Sequence, residues 1–133
     1  MTTWTSDELT RIASAEELQI ASLRRDGTLR KSVIIWVVRH DDDLYVRSVN
    51  GRTASWFRGT QVRHEGRIQA GGIDKDVTFV DTTPDLNDQL DAVYRSKYRR
   101  YAASIINSIV SPTARAATIK LVPRITHSKF TII

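Results

Sequence analysis

The chain contains no cysteine. Disulfides, thiolate nucleophiles and cysteine-ligated metals are therefore excluded, and nothing calls for an oxidising compartment. No apolar run approaches the roughly 20 residues of a membrane-spanning helix. The opening MTTWTSDELT lacks the basic-then-apolar pattern of a secretory signal, so a cytoplasmic location is expected. Histidine is sparse: His40, His64 and His127 form neither HExxH nor any paired metal spacing, so no metal site is expected. No serine sits in a GxSxG elbow, and no Rossmann or Walker glycine pattern occurs, so hydrolase and nucleoside-triphosphate chemistry have no positive support.

What is present fits one domain. A length of 133 residues is near the commonest domain size, and 41% hydrophobic residues suffice for a core. We expect the domain over 1–124 and a patternless C-terminal tail over 125–133. Twenty basic residues against 15 acidic ones give a net charge of +5. That excess fits an anionic ligand or simply a basic soluble protein.

Local patterns set the expected elements. Thr5 and Glu8 have capping-box spacing, with Trp4 and Leu9 as the flanking staple, which predicts a helix over Ser6 to Ser14. A short strand is expected from Leu18 to Leu23, then a turn at Asp26-Gly27. Lys31 to Arg39 reads as one strand, apolar on both faces, so it should be covered on both sides. Asp41 to Asp43 turns the chain into Leu44 to Val49, with Leu44, Val46 and Ser48 facing one way and Tyr45, Arg47 and Val49 the other. Thr53 is placed to cap a short helix carrying Trp56 and Phe57. Gly66 to Ala70 and Ile73 to Val80 read as a hairpin across Gly71-Gly72. Thr83-Pro84 opens a helix to about Arg99, Ser111-Pro112 opens a short one, and Thr118 to Val122 is a last strand. Without βαβ alternation, this order predicts an α+β fold with a small antiparallel barrel, closed or split, flanked by helices.

Several clusters carry chemistry on paper. Asp74 and Asp76 share a strand face about 6–7 Å apart, as an acid–base pair or, more simply, a solvated face. Arg95, Lys97, Arg99 and Arg100 alternate with Tyr94, Tyr98 and Tyr101. That mixture suits single-stranded nucleic acid, or an amphipathic helix with inward tyrosines and wet cations. Arg30, Lys31 and Ser32 precede one strand, while Arg47, Ser48, Val49, Asn50 and Gly51 end the next. Cations and backbone donors at these two strand ends suit a phosphate.

The run from Gly27 to Arg58 resembles the flavin- and deazaflavin-dependent nitroreductase branch of the split β-barrel superfamily. The likeness lies in Gly27, Arg30-Lys31-Ser32, the following strand, the acidic turn, the second strand ending at Asn50-Gly51, and Trp56. Val33 and Ile34 stand where that branch often has proline, and Phe57-Arg58-Gly59 replace its usual asparagine-leucine after the tryptophan. The whole chain is also similar to a small bacterial family of unknown function in the same superfamily.

The resemblance implies a homodimeric split barrel binding FMN or an 8-hydroxy-5-deazaflavin coenzyme near the dimer interface, and oxidoreductase chemistry on a small-molecule substrate. Phosphate contacts map onto Arg30, Lys31 and Ser32. The loop Ser48, Val49, Asn50 and Gly51 lies along the cofactor, with Trp56 nearby. No protein acid or base is nominated, since the cofactor carries the hydride. The competing expectation is a cofactor-free barrel whose basic helix binds an anionic partner such as nucleic acid.

Overall fold

The computed structural model describes residues 3–124. Helix α1 spans Ser6–Ser14, with both hydrogen bonds of the Thr5–Glu8 capping box formed. Its buried Leu9 and Ile12 meet Trp4, whose indole N–H donates to the Leu121 carbonyl at 3.0 Å. Strands follow at Leu18–Ser22 (β1), Val33–Ile35 (β2), Val38–His40 (β3), Asp43–Arg47 (β4), Glu65–Ala70 (β5), Ile73–Asp81 (β6) and Thr118–Pro123 (β7). They form one antiparallel sheet in the order β2-β1-β5-β6-β7-β4-β3.

That order explains the curvature. β2 and β3 are the two outermost strands, yet only Trp36 and Val37 separate them. Three backbone steps reach at most about 11 Å, so the sheet must curl until its edges meet. The single strand expected from Lys31 to Arg39 is thus two short strands, pairing with opposite ends of the sheet. Its doubly apolar character follows from this crossing. Val33, Ile35 and Val37 pack on the barrel core, Val38 and Trp36 join a second cluster outside it, and Ile34 is left 62% exposed.

Two apolar cores result among the described residues. One fills the barrel with Leu18, Ile20, Leu44, Val46, Ile68, Val77, Phe79, Ile119 and Leu121. The other lies outside β3 and β4, under α3 (Asn87–Lys97) and α4 (Ala103–Ile109), and contains Val38, Tyr45, Leu90, Tyr94, Tyr98, Ile106 and Ile109. The alternation expected for β4 serves both: Leu44 and Val46 point inward, Tyr45 outward. Each large side chain buried this way contributes roughly 1.5–3 kcal/mol.

Both tight hairpins are where expected. Gly71 and Gly72 turn β5 into β6 with φ of +56° and +82°, and Asp41 takes φ +54° between β3 and β4. Helix α2 (Ser55–Arg63) follows a 3-10 turn over Gly51–Thr53. Thr53 therefore does not cap it; the cap is Ala54, which offers no side-chain acceptor. Pro84–Leu86 forms a 3-10 turn before α3, so that helix starts three residues later than expected. Ser111 caps α5 (Pro112–Arg115) through the Ala114 N–H, as its spacing predicts. Among the described residues no helix is long and apolar enough to cross a membrane. The tail assigned to 125–133, including His127, lies outside the described residues.

Candidate functional site

A cavity of about 330 Å³ opens where the barrel's edges meet. One wall is β2 with Trp36. The second is the end of β4 and its loop, Arg47 to Asn50. The third comes from Ala54 and Trp56 at the start of α2, and the last from Ile105, Ser108 and Ile109 of α4. Two tryptophans and several aliphatic side chains make it apolar. The Ser48 hydroxyl is buried at this wall with no partner among the described residues, and a buried hydroxyl without a partner costs stability. Three exposed apolar side chains belong to the lining: Ile34, Val49 (46% exposed) and Ile105 (47%).

The structure brings Arg47, Ser48, Val49, Asn50 and Trp56 to this one cavity. Arg47 is not a free cation there. Its side chain is fully buried, pairs with Asp91 at 2.5 Å, and donates to Thr118 Oγ1, the Ile109 carbonyl and Asn87. Burial opposes the charge on Asp91, but hydrogen bonds from Arg115 and Arg47 outweigh it and hold the carboxyl below its ordinary range. Gly51 lies off the cavity wall; its N–H is taken by the Ser48 carbonyl, its φ of +79° suits glycine, and its missing Cβ leaves room for Thr113, whose methyl would lie 2.6 Å from such an atom.

Arg30 and Ser32 line a neighbouring recess of about 270 Å³ on the outer face of β1 and β5, with Gln19, Arg67, Gln69 and Asp74. Arg30 lies across Gly59 of α2, its Nε buried and without a partner among the described residues. Lys31 is exposed beside this recess. Arg30, Lys31 and Ser32 therefore flank the cavity through β2, whose first residue directly follows Ser32, and do not line it.

Several of the remaining candidates are committed to structural contacts. Asp74 and Asp76 both grip Arg67, each at 2.6 Å. Lys75 binds Glu8 at 2.5 Å beside the Trp4 ring. On the basic helix, Tyr94 and Tyr98 are buried, so neither offers a stacking face to solvent. Lys97 donates to the Val37 carbonyl at 2.6 Å, and burial lowers its pKa to about 8. Arg100 pairs with Glu16. Among the described residues no group of three or more histidine, aspartate or glutamate side chains gathers as a metal cluster.

Two parts of the site escaped the sequence reading. In sequence, Trp36 sits inside what reads as one apolar strand. Helix α4 was missed, although Ile105, Ile106, Ile109 and Val110 have helical spacing.

A family model matches residues 8–121, nearly all of the described chain. The chain belongs to the bacterial family described as "Uncharacterized protein conserved in bacteria (DUF2255)". Solved structures share the barrel of this DUF2255 chain. The heme storage protein HutZ from Vibrio cholerae superposes with a TM-score of 0.60 at 16% identity, over 91% of each chain. An F420 reductase gives 0.56 at 14%, over 88% of this chain and 91% of that one. A FAD-binding protein from Mesorhizobium loti gives 0.53 at 15%, over 92% of each. Likeness at such identities shows the fold alone: an α+β split barrel. No curated protein matches the chain in sequence.

Proposed function

We propose that this DUF2255 protein is a cytoplasmic, homodimeric split barrel that binds FMN or a deazaflavin coenzyme and acts as an oxidoreductase on a small-molecule substrate. The observation that carries the proposal is the cavity: apolar, walled by Trp36 and Trp56, and holding the Ser48 hydroxyl, which has no partner among the described residues. Its volume lies within the range of small-molecule sites, about 300–1,000 Å³, which are apolar with a few placed polar groups. The neighbours named for F420 and FAD support the cofactor class.

The residues present fit such a group. Trp36, Trp56, Val33 and Ile109 offer an apolar slot for a ring, and Ser48 offers a hydrogen bond to a polar ring edge. Lys31 and Ser32, just outside, would hold a phosphate. When bound, the cofactor supplies hydride transfer; the protein binds, orients and excludes water. The exposed Ile34, Val49 and Ile105 support a second copy as cover for the open side, since apolar patches beside a site mark interaction surfaces.

Two measurements test this. Lys31→Ala should weaken FMN binding about tenfold, the worth of one charge-assisted contact, while riboflavin, which lacks the phosphate, binds as before. Equal FMN affinity in the variant and wild type would remove the anchor. Sedimentation equilibrium should give twice the 15.1 kDa chain mass; a monomer at binding concentrations would refute the dimer.

A further inference from the structure

We propose that Tyr98 fixes the indole of Trp36 as a flat wall of the cavity, and that this wall makes the site selective for planar aromatic ligands. The proposal rests on the reading that the cavity holds a ring-bearing ligand, and it adds the residues that decide which ligands fit.

It starts from the break between β2 and β3. Trp36 and Val37 belong to neither strand, so their backbone groups need partners elsewhere. The Val37 N–H donates to Tyr98 Oη at 3.2 Å, and the Val37 carbonyl accepts from Lys97 Nζ at 2.6 Å. The Tyr98 hydroxyl in turn donates to the Glu16 carbonyl at 2.7 Å. One phenol thus ties the crossing segment to the residues after α1.

The same ring lies 3.7 Å from the Trp36 ring at an interplanar angle of 2°. Tyr101 leans on Trp36 at 4.9 Å and 51°, and its hydroxyl is held by the Glu16 carboxylate. Trp36 lines the cavity; Tyr98, buried behind it, does not. Tyr98 is therefore a positioning residue.

The functional consequence is preorganisation. An indole already held by a stack and its neighbours loses little rotamer freedom when a ligand docks. Its rigid π-surface rewards a ring that can stack and gives a flexible alkyl chain no such match. This also explains the spacing of tyrosines and lysine at the end of α3: it serves the cavity wall from behind.

The experiment compares wild type, Trp36→Leu, Tyr98→Phe and Tyr98→Leu, each checked for folding by far-ultraviolet circular dichroism. Probes are riboflavin, 2-naphthoate and, as the flexible apolar control, decanoate. Trp36→Leu and Tyr98→Leu should each lose about tenfold or more in affinity for the planar probes, with decanoate little changed. The ligand-free near-ultraviolet spectrum should lose its stacked Trp–Tyr signature in both. Tyr98→Phe, which folds if the leucine variant does not, should keep the signature and lose about threefold, through the missing hydroxyl bonds alone.

Undiminished naphthoate binding in Trp36→Leu would overturn the selectivity. An unchanged near-ultraviolet spectrum in Tyr98→Leu would overturn the positioning role. If riboflavin fails to bind while the naphthoate pattern holds, the cofactor reading falls and this inference stands.

Discussion

Replacing Asp91 by alanine is expected to destabilise the protein by about 3–5 kcal/mol, the usual cost of stripping the partner from a buried charge. Total stabilities of domains this size are only about 5–15 kcal/mol, so the variant should be marginal at best. The reason is Arg47. Its side chain has no exposure, and Asp91, 13% exposed, is its sole carboxylate partner among the described residues. The other acceptors around Arg47 are neutral. Asp91 also receives Arg115, so one carboxylate ties β4 to α3 and α5. Replacing both partners, Arg47→Met with Asp91→Leu, should cost less than Asp91→Ala alone, because no charge is left stranded.

The pH dependence follows with its sign. Asp91 has a folded pKa below its unfolded one. Its contribution is therefore complete above the unfolded carboxylate value, about 4, and is lost as the pH falls through the folded value. Urea midpoints measured from pH 7 downward should fall more steeply in the wild type than in the double variant, which still carries other carboxylates held below their ordinary range, such as Glu8. An Asp91→Ala midpoint within experimental error of wild type would contradict the role given to the pair.

Gly66→Ala is expected to be comparably damaging, at about 3 kcal/mol or more, the upper end of overpacking costs. An added Cβ at this buried β5 position would lie 2.2 Å from the Ala21 carbonyl oxygen and 2.7 Å from the Phe79 ring. The first obstacle is backbone on the paired strand β1, which cannot swing aside as a side-chain end can. Gly72→Ala is the control. Its φ of +82° makes alanine strained, but the nearest atom is an Arg11 guanidinium nitrogen at 3.8 Å, so the cost should be about 1 kcal/mol. Thermal unfolding of both should rank Gly66→Ala well below Gly72→Ala; the reverse order would refute the crowding argument.

The elements that were legible in the sequence are those set by local chemistry. The capping box at Thr5, the Gly71-Gly72 hairpin, the Ser111 cap and the alternation of β4 need only neighbours in the chain. Long-range geometry was not legible. No local signal shows that Lys31 to Arg39 must cross from one end of the sheet to the other, so in sequence the segment reads as continuous strand through Trp36. The commitment of Arg47 to Asp91 joins residues 44 positions apart, and a strand-end arginine looks the same in sequence whether it is solvated or buried. The cavity shows the same division. Ser48, Val49 and Asn50 stand out in sequence as a strand end rich in backbone donors, and a resemblance of ordered motifs adds Trp56, whereas the α4 wall reaches the site only through the second core.

The most direct test of the account is titration of the purified wild-type protein with FMN and, separately, with the 8-hydroxy-5-deazaflavin coenzyme, following cofactor and tryptophan fluorescence together. The account predicts saturable micromolar binding of one of them, one per chain, with quenching of tryptophan emission as the ring enters beside Trp36 and Trp56. No saturable binding of either, at concentrations well above micromolar, would contradict it and leave a barrel whose cavity serves some other ligand.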